Sequence, residues 1–244
     1  LATGVMVVDI KLVVAEALAV NATVPASQTF SLSVAARYQV TVIADASDQV
    51  YEFNAVGHAD AEQNNAVNAL FDITLDLQAA NLTVLPDTGL NSGDSVTIRW
   101  DDVNRGVHAT GGSWHDSVQM VNTTTGDTLL DTQVNYDAAS SGSIGAGEFR
   151  TQQYSFRLPD GARGTGTLRV TVMCDINNAI VEHNLEGTGE ANNAASLTRV
   201  SPLAPYPDLS VSAIGGPLGA LAGQPVQMTW TLTNRGPGNL SGRW

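Results

Sequence analysis

A group of residues recurs along this chain at a fixed separation of 130 positions. The group contains a glycine, two tryptophans and an Asn-Arg-Gly tripeptide. Its copies are Gly93, Trp100, Asn104-Arg105-Gly106 and Trp114, then Gly223, Trp230, Asn234-Arg235-Gly236 and Trp244. Identical spacing over so many positions is not expected by chance. It indicates an internal repeat, so the fold must be one that a unit of roughly 130 residues can form.

A second group recurs upstream of the first. At the same separation, Val40-Thr41-Val42, Asp45 and Glu52 match Val170-Thr171-Val172, Asp175 and Glu182. The separation falls to 128 at the pairs Asn64-Asn65 and Asn192-Asn193. The repeat therefore covers most of the chain.

Between turn residues, the chain has short runs in which apolar and polar residues alternate. This alternation is typical of antiparallel strands with one buried face. The clearest runs are residues 38–42, 95–100, 153–158, 167–172 and 226–232, and residues 12–20 are also predicted as a strand. Many short strands predict an all-β fold, a sandwich or a barrel. Its predicted core contains Val96, Ile98, Trp100, Tyr154, Phe156, Leu168, Val170 and Val172.

The repeat predicts the domain boundaries. Residues 81–203 would form a complete unit, residues 1–80 the C-terminal part of a preceding unit, and residues 204–244 the N-terminal part of a following one. We therefore expect head-to-tail propagation, in which residues 204–244 of one copy complete the sandwich begun by residues 1–80 of the next. The copies would be repeats of one long polypeptide or separate subunits joined by strand complementation.

Several motifs of the unit resemble a known family. They are Pro207-Asp208-Leu209-Ser210-Val211, Ala222-Gly223-Gln224-Pro225-Val226 and Thr231-Leu232-Thr233-Asn234-Arg235-Gly236, then Asp175, Val181, Glu182 and Asn192-Asn193 near the end of a unit. With these motifs the chain resembles the CARDB domain, the cell-adhesion-related domain found in bacteria. The resemblance implies tandem immunoglobulin-like antiparallel β-sandwiches. The complete unit departs mildly from the pattern, since it opens with Asn81-Leu82 and has Asp102-Val103 where Leu-Thr is usual.

The charge of the chain excludes two classes of partner. Lys and Arg together number 11 against 24 Asp and Glu, a formal charge of −13. Nucleic-acid binding and docking on an anionic membrane both need a basic surface. No uninterrupted apolar run in the sequence reaches the roughly 20 residues of a membrane span. The single cysteine, Cys174, excludes an internal disulfide and is expected to be at least half-buried.

One short segment contains the residue types of a hydrolase triad. Ser113, His115 and Asp116 surround Trp114, but adjacent residues on a strand point to opposite faces. Triads also assemble from distant segments. We therefore predict a strand entry with a core tryptophan and exposed neighbours. The Gly-rich residues 161–166 are predicted to form a hairpin loop.

Two acidic segments are candidates for a calcium site. Asp175, Glu182 and Glu190 supply hard oxygen ligands in one copy, and Asp45, Glu52 and Glu62 supply them in the other. The alternative is structural, because Asp45 and Asp175 could instead close turns through hydrogen bonds to the backbone.

These observations predict a non-catalytic structural or adhesive repeat protein of a bacterial cell surface or extracellular fibre. Its partners would be copies of itself or adjacent repeats, with a surface glycan or protein as a possible target. The alternative is a carbohydrate- or protein-binding accessory module of a large secreted enzyme. A sugar site would need an exposed aromatic platform, for which Trp114 and Trp244 are the candidates.

Overall fold

The computed structural model describes residues 8–13, 17–53, 61 and 63–241. The chain divides into two units, Leu1–Ser33 and Val34–Trp244. In the first unit, the described residues form no helix or strand. The strand predicted over residues 12–20 is therefore absent from the described part of that segment.

The second unit is almost entirely β, which confirms the predicted fold class. Its strands are β1 (Ala36–Ile43), β2 (Ala66–Ile73), β3 (Leu77–Leu85), β4 (Ser95–Asn104), β5 (Trp114–Asn122), β6 (Thr128–Tyr136), β7 (Phe149–Arg157), β8 (Gly166–Met173), β9 (Ala194–Ser201), β10 (Leu209–Gly215) and β11 (Thr229–Asn234). Helix α1 (Ala138–Ser141) is a single turn, and short 3-10 turns occur at Gly161–Gly164 and Gly189–Ala191. The described residues contain no helix that could span a bilayer.

Strands β3 to β9 form an antiparallel sandwich. One sheet has the order β3-β4-β7 and the other the order β6-β5-β8-β9. The chain changes sheets between β4 and β5, between β6 and β7, and between β7 and β8, as in immunoglobulin-like folds. The hairpin loop predicted at residues 161–166 is therefore wrong. This segment connects two sheets, because β7 pairs with β4 whereas β8 pairs with β5 and β9.

The core lies between these two sheets and contains the side chains that alternation predicted. Val96, Ile98 and Trp100 of β4 are buried, as are Leu168, Val170 and Val172 of β8. Tyr154 and Phe156 of β7 are only partly buried, but they pack against the same cluster. The inward-face assignment is therefore confirmed.

Strands β1 and β2 form one separate antiparallel hairpin, and β10 and β11 form another. At the end of β11, the Asn234 side chain accepts from Gly236 N at 3.1 Å and donates to Gly238 O at 2.7 Å. At the end of β4, the Asn104 side chain makes the equivalent bonds to Gly106 N at 2.9 Å and His108 O at 2.8 Å. The same Asn-Arg-Gly sequence thus forms the same local structure in both places.

The strand register corrects the correspondence between the two opening strands. Leu77 pairs with Asn104 in β3–β4, and Leu209 pairs with Asn234 in β10–β11. The counterpart of Asp208-Leu209 is therefore Asp76-Leu77, not Asn81-Leu82. The opening strands are 132 residues apart rather than 130, and the same bulge recurs in both, at Asn81 with a φ of 51° and at Ala213 with a φ of 50°. The predicted boundary between residues 80 and 81 falls inside β3, and the domain boundaries stay a prediction.

The glycine of the Asn-Arg-Gly motif is required by a close backbone approach. A Cβ atom at Gly106 would overlap the backbone of Thr74 and Leu75. We expect Gly106→Ala to lower the free energy of unfolding by about 1–3 kcal/mol, the usual cost of overpacking. Urea titration measures this loss. Gly111→Ala is the matched control, because a Cβ there meets nothing within 4 Å. Equal stability of the two variants would contradict the steric argument.

Candidate functional site

A polar cluster lies inside the sandwich core. Trp100 and Asp102 are two residues apart on β4 and therefore face the same way. Trp114 and Asp116 have the same arrangement on β5, in the opposite sheet. Cys174 follows β8 directly. All five side chains are at most 1% exposed, so the cluster is closed to solvent.

The two indole N–H groups hold the two carboxyl groups in place. Trp100 Nε1 donates to Asp102 Oδ1 and to Asp116 Oδ2, both at 3.0 Å. Trp114 Nε1 donates to Asp116 Oδ1 at 2.9 Å. Because Trp100 is shared, it fixes the two aspartates relative to each other.

The remaining contacts leave one carboxylate oxygen without a donor. Cys174 Sγ donates to Asp102 Oδ1 at 2.9 Å, and Asp175 N donates to Asp116 Oδ1 at 3.3 Å. Asp102 Oδ2 is buried and has no hydrogen-bond partner. A buried acceptor without a donor is uncommon and marks a position where another group could bind.

Burial keeps this cluster from carrying its full charge. Removal from water raises the pKa of Asp102 to about 8, and the charge of the neighbouring Asp116 adds to the rise. Burial also raises the pKa of Asp116, although Trp100 Nε1 opposes the effect by hydrogen bonding. The pKa of the Cys174 thiol is raised by burial and then by the carboxylates. Near neutral pH, the aspartate pair therefore retains a proton and the thiol is neutral.

The same three residues could hold a metal ion. Asp102, Asp116 and Cys174 each offer one ligand atom, and these atoms all lie within 4.8 Å of one another. Among the described residues, they form the only group of three or more His, Cys, Asp or Glu side chains that is this close.

Two of the residues predicted to bind calcium close turns through their carboxylates. Asp175 Oδ1 accepts from Ala179 N at 2.9 Å and its Oδ2 from Ile180 N at 2.7 Å. Asp45 makes the same pair of bonds to Gln49 N and Val50 N, which lower the pKa of its carboxyl group. Both aspartates thus close turns through hydrogen bonds to the backbone, which was the structural alternative to calcium binding.

Glu182 and Glu190 are brought together in the connection between β8 and β9. Glu190 Oε1 accepts from Glu182 N at 2.8 Å. Glu182 in turn accepts from Leu77 N at 2.6 Å and from Asn193 Nδ2 at 2.9 Å, and burial raises its pKa to about 8. Glu52 is half-buried, and Glu62 lies outside the described residues. Calcium at these residues stays a prediction.

The hydrolase-like triplet does not assemble. His115 is exposed, whereas Asp116 faces the core beneath Trp114, so the two side chains lie on opposite faces of β5. The expected exposure of Asp116 is wrong. Trp114 is 1% exposed and stacks on Tyr136 with ring centroids 3.9 Å apart, so it offers no platform for a sugar. Trp244 lies outside the described residues.

Sequence analysis missed Asp102 and Asp116 as members of a site. The available signal was their position, because each stands two residues after a predicted or candidate core tryptophan and so continues the inward face of its strand. A second signal was the departure of Asp102 from the usual leucine, which the other copy keeps as Leu232.

Comparisons with known proteins give structural similarities only. No family model matches the chain, and no curated protein matches it. One similar structure is the crystal structure of the CARDB domain of the PF1109 protein from Pyrococcus furiosus, in complex with di-metal ions. The similarity covers 54% of this chain and 97% of that domain, with 19% identity and a TM-score of 0.39. A solution structure of that domain gives 18% identity, coverage of 54% and 98%, and a TM-score of 0.36.

A weaker similarity involves an enzyme. Beta-glucosidase 3B from Thermotoga neapolitana has 13% identity and a TM-score of 0.27, over 52% of this chain and 16% of the glucosidase. Because all these TM-scores are below 0.5, none supports an inference about function. The immunoglobulin-like assignment follows from the strand order of the sandwich itself.

Proposed function

We propose that this chain is a non-catalytic structural and adhesive protein of a bacterial cell surface or extracellular fibre. Tandem immunoglobulin-like units would propagate it head to tail. The observation that carries the proposal is a difference in exposure between positions matched by the 130-residue spacing. Trp100 is 1% exposed, whereas Trp230 is 58% exposed. Val172 is fully buried, whereas Val42 is 59% exposed.

The exposed apolar faces belong to two complementary halves of a sandwich. Hairpin β10–β11 matches β3–β4, the front of the unit, and β1–β2 matches β8–β9, the back. In the complete sandwich, the inward faces of these strands cover each other. Exposed apolar faces of this kind favour association.

The occupant we assign to each face is therefore the other hairpin. The β10–β11 face of one copy would pack on the β1–β2 face of the next. The contact joins two different surfaces and does not close on itself, so it extends into a fibre. Repeats within one long polypeptide would use the same contact. A covalently continuous array is the form we favour.

The segment after β9, which leads to the next hairpin, is hydrogen-bonded to the sandwich. Tyr206 Oη lies 2.9 Å from Ser92 Oγ and accepts from Gly161 N at 2.9 Å. Ala204 N donates to Ser92 Oγ at 3.0 Å. A connection with several hydrogen bonds restricts the orientation between successive units, which suits a stalk.

The proposal includes a calcium ion bound to the connection between β8 and β9. Its oxygens would come from Asp175, Glu182 and Glu190. Each oxygen of Asp175 and Glu182 already accepts a hydrogen bond, so calcium would have to displace these donors.

Association through the two hairpins is tested by sedimentation velocity over a range of concentrations. We expect the purified chain to form concentration-dependent oligomers, with a blue shift of tryptophan fluorescence as Trp230 is covered. Trp230→Asp should abolish both changes, because a charge on this face opposes its burial. Leu185→Asp is the control, since Leu185 is 66% exposed and lies outside both hairpins.

Two results would contradict the proposal. One is a chain that stays monomeric at every concentration, with no fibres in electron micrographs. The other is real turnover of glycosidase, protease or esterase substrates by the purified protein.

A further inference from the structure

The carboxyl groups of Asp102 and Asp116 are in contact inside the core, where no basic side chain compensates them. Among the described residues, no ion pair reaches either aspartate. Two buried carboxylates in contact repel each other unless a proton or a cation lies between them. The pair therefore needs a shared proton or a bound cation.

One oxygen of the pair is reached by no hydrogen-bond donor in the described part of the chain. Indole, thiol and backbone donors reach Asp102 Oδ1 and both oxygens of Asp116, but none reaches Asp102 Oδ2. The Asp102 side chain is itself fully buried.

The matched positions of the repeat have apolar residues instead of these polar ones. At the 130-residue spacing, the position of Asp102 is occupied by Leu232 and that of Cys174 by Ala44. Leu232 lies on β11, whose ladder and Asn-Arg-Gly turn repeat those of β4. Both apolar residues are exposed in their hairpins, whereas Asp102 and Cys174 are fully buried, and burying polar groups without a partner costs stability.

We propose that Asp102, Asp116 and Cys174 bind one divalent transition-metal ion, of the class to which zinc and cobalt belong, inside the sandwich. Carboxylate and thiolate ligands together suit these borderline-soft ions rather than calcium or magnesium. The ligand atoms lie within 4.8 Å of one another, so small side-chain adjustments let them share one ion. Trp100 and Trp114 orient the carboxylates from outside the ligand set.

The experiment adds metal before the core closes. The full chain is unfolded in urea, refolded with one equivalent of Co²⁺ or Zn²⁺, and desalted before elemental analysis. We expect one metal ion per chain and a thiolate-to-cobalt charge-transfer band in the near ultraviolet. If the chain does not refold from urea, the same measurements are made on protein produced in cobalt-supplemented medium.

Two variants separate this site from other binding. Asp102→Leu combined with Cys174→Ala introduces the residues found at the matched positions, so it should fold and retain no metal. Cys174→Ser should lose the charge-transfer band and bind at least about tenfold more weakly. Asp131→Asn, at an exposed position of β6, should behave like the unmodified chain.

Refolded protein without metal would overturn the proposal and leave a shared proton as the only occupant. Equal metal content in the double variant would also overturn it.

Discussion

Replacing Trp100 with alanine should lower the free energy of unfolding of the sandwich by about 3–5 kcal/mol, the usual cost of truncating a buried aromatic side chain. The loss should lie at the upper end of that range. Trp100 Nε1 also donates to both Asp102 and Asp116, and loss of a donor to a buried polar group has its own cost. Urea denaturation followed by circular dichroism measures the loss.

Trp230 provides the control for this substitution. It occupies the matched position in the Asn-Arg-Gly copy but is 58% exposed. In dilute, monomeric protein, Trp230→Ala should change stability by no more than about 0.5 kcal/mol, as for other surface substitutions. Trp100→Phe keeps most of the ring but removes the N–H donor, so its loss should be intermediate. Similar losses at Trp100 and Trp230 would contradict the burial argument.

The metal-free sandwich should become less stable as pH rises from about 4 to about 8. Asp102 has an ordinary pKa of 3.8 when unfolded and a pKa of about 8 in the folded core. Between these values the folded state retains a proton that the unfolded state has lost. Stability is therefore fully present below the unfolded pKa and is lost toward the folded one, at up to about 1.4 kcal/mol per pH unit.

Melting temperatures measured in chelator between pH 5 and pH 8 test this dependence. Glu182, whose pKa burial also raises to about 8, adds to the fall in the same direction. Asp102→Asn should flatten the profile, because an amide does not titrate and can still donate to Asp116. Asp101→Asn, on the outward face of the same strand, should retain the full dependence. Unmodified protein whose stability stays constant or rises over this interval would contradict the raised pKa of Asp102.

A bound metal ion would counteract the loss of stability that occurs as pH rises. An ion that binds only the folded protein stabilises it, and its ligands must be deprotonated. The pH dependence therefore has to be measured without metal. The difference in melting temperature between metal-loaded and chelated protein should widen as pH rises.

Much of the fold could be predicted from short-range patterns. Alternation placed Trp100 and Val170 on inward faces, because the side-chain period of a strand is two and burial of one face fixes it. It failed over residues 12–20, where the described residues pair with no strand. It also failed at residues 161–166, because a turn between two strands does not show whether those strands share a sheet.

The contrast between Asp102 and Asp175 shows what each level determines. The sequence by itself determined the turn at Asp175, since the groups that its carboxylate accepts from, Ala179 N and Ile180 N, lie only four and five residues away. The alternation that predicts the β-class is local in the same sense, because its period is two residues. Only the tertiary structure decided that Asp102, Asp116 and Cys174 meet. They come from three segments in two sheets, and they are adjacent because the sandwich closes over them and excludes the water that would otherwise separate their charges.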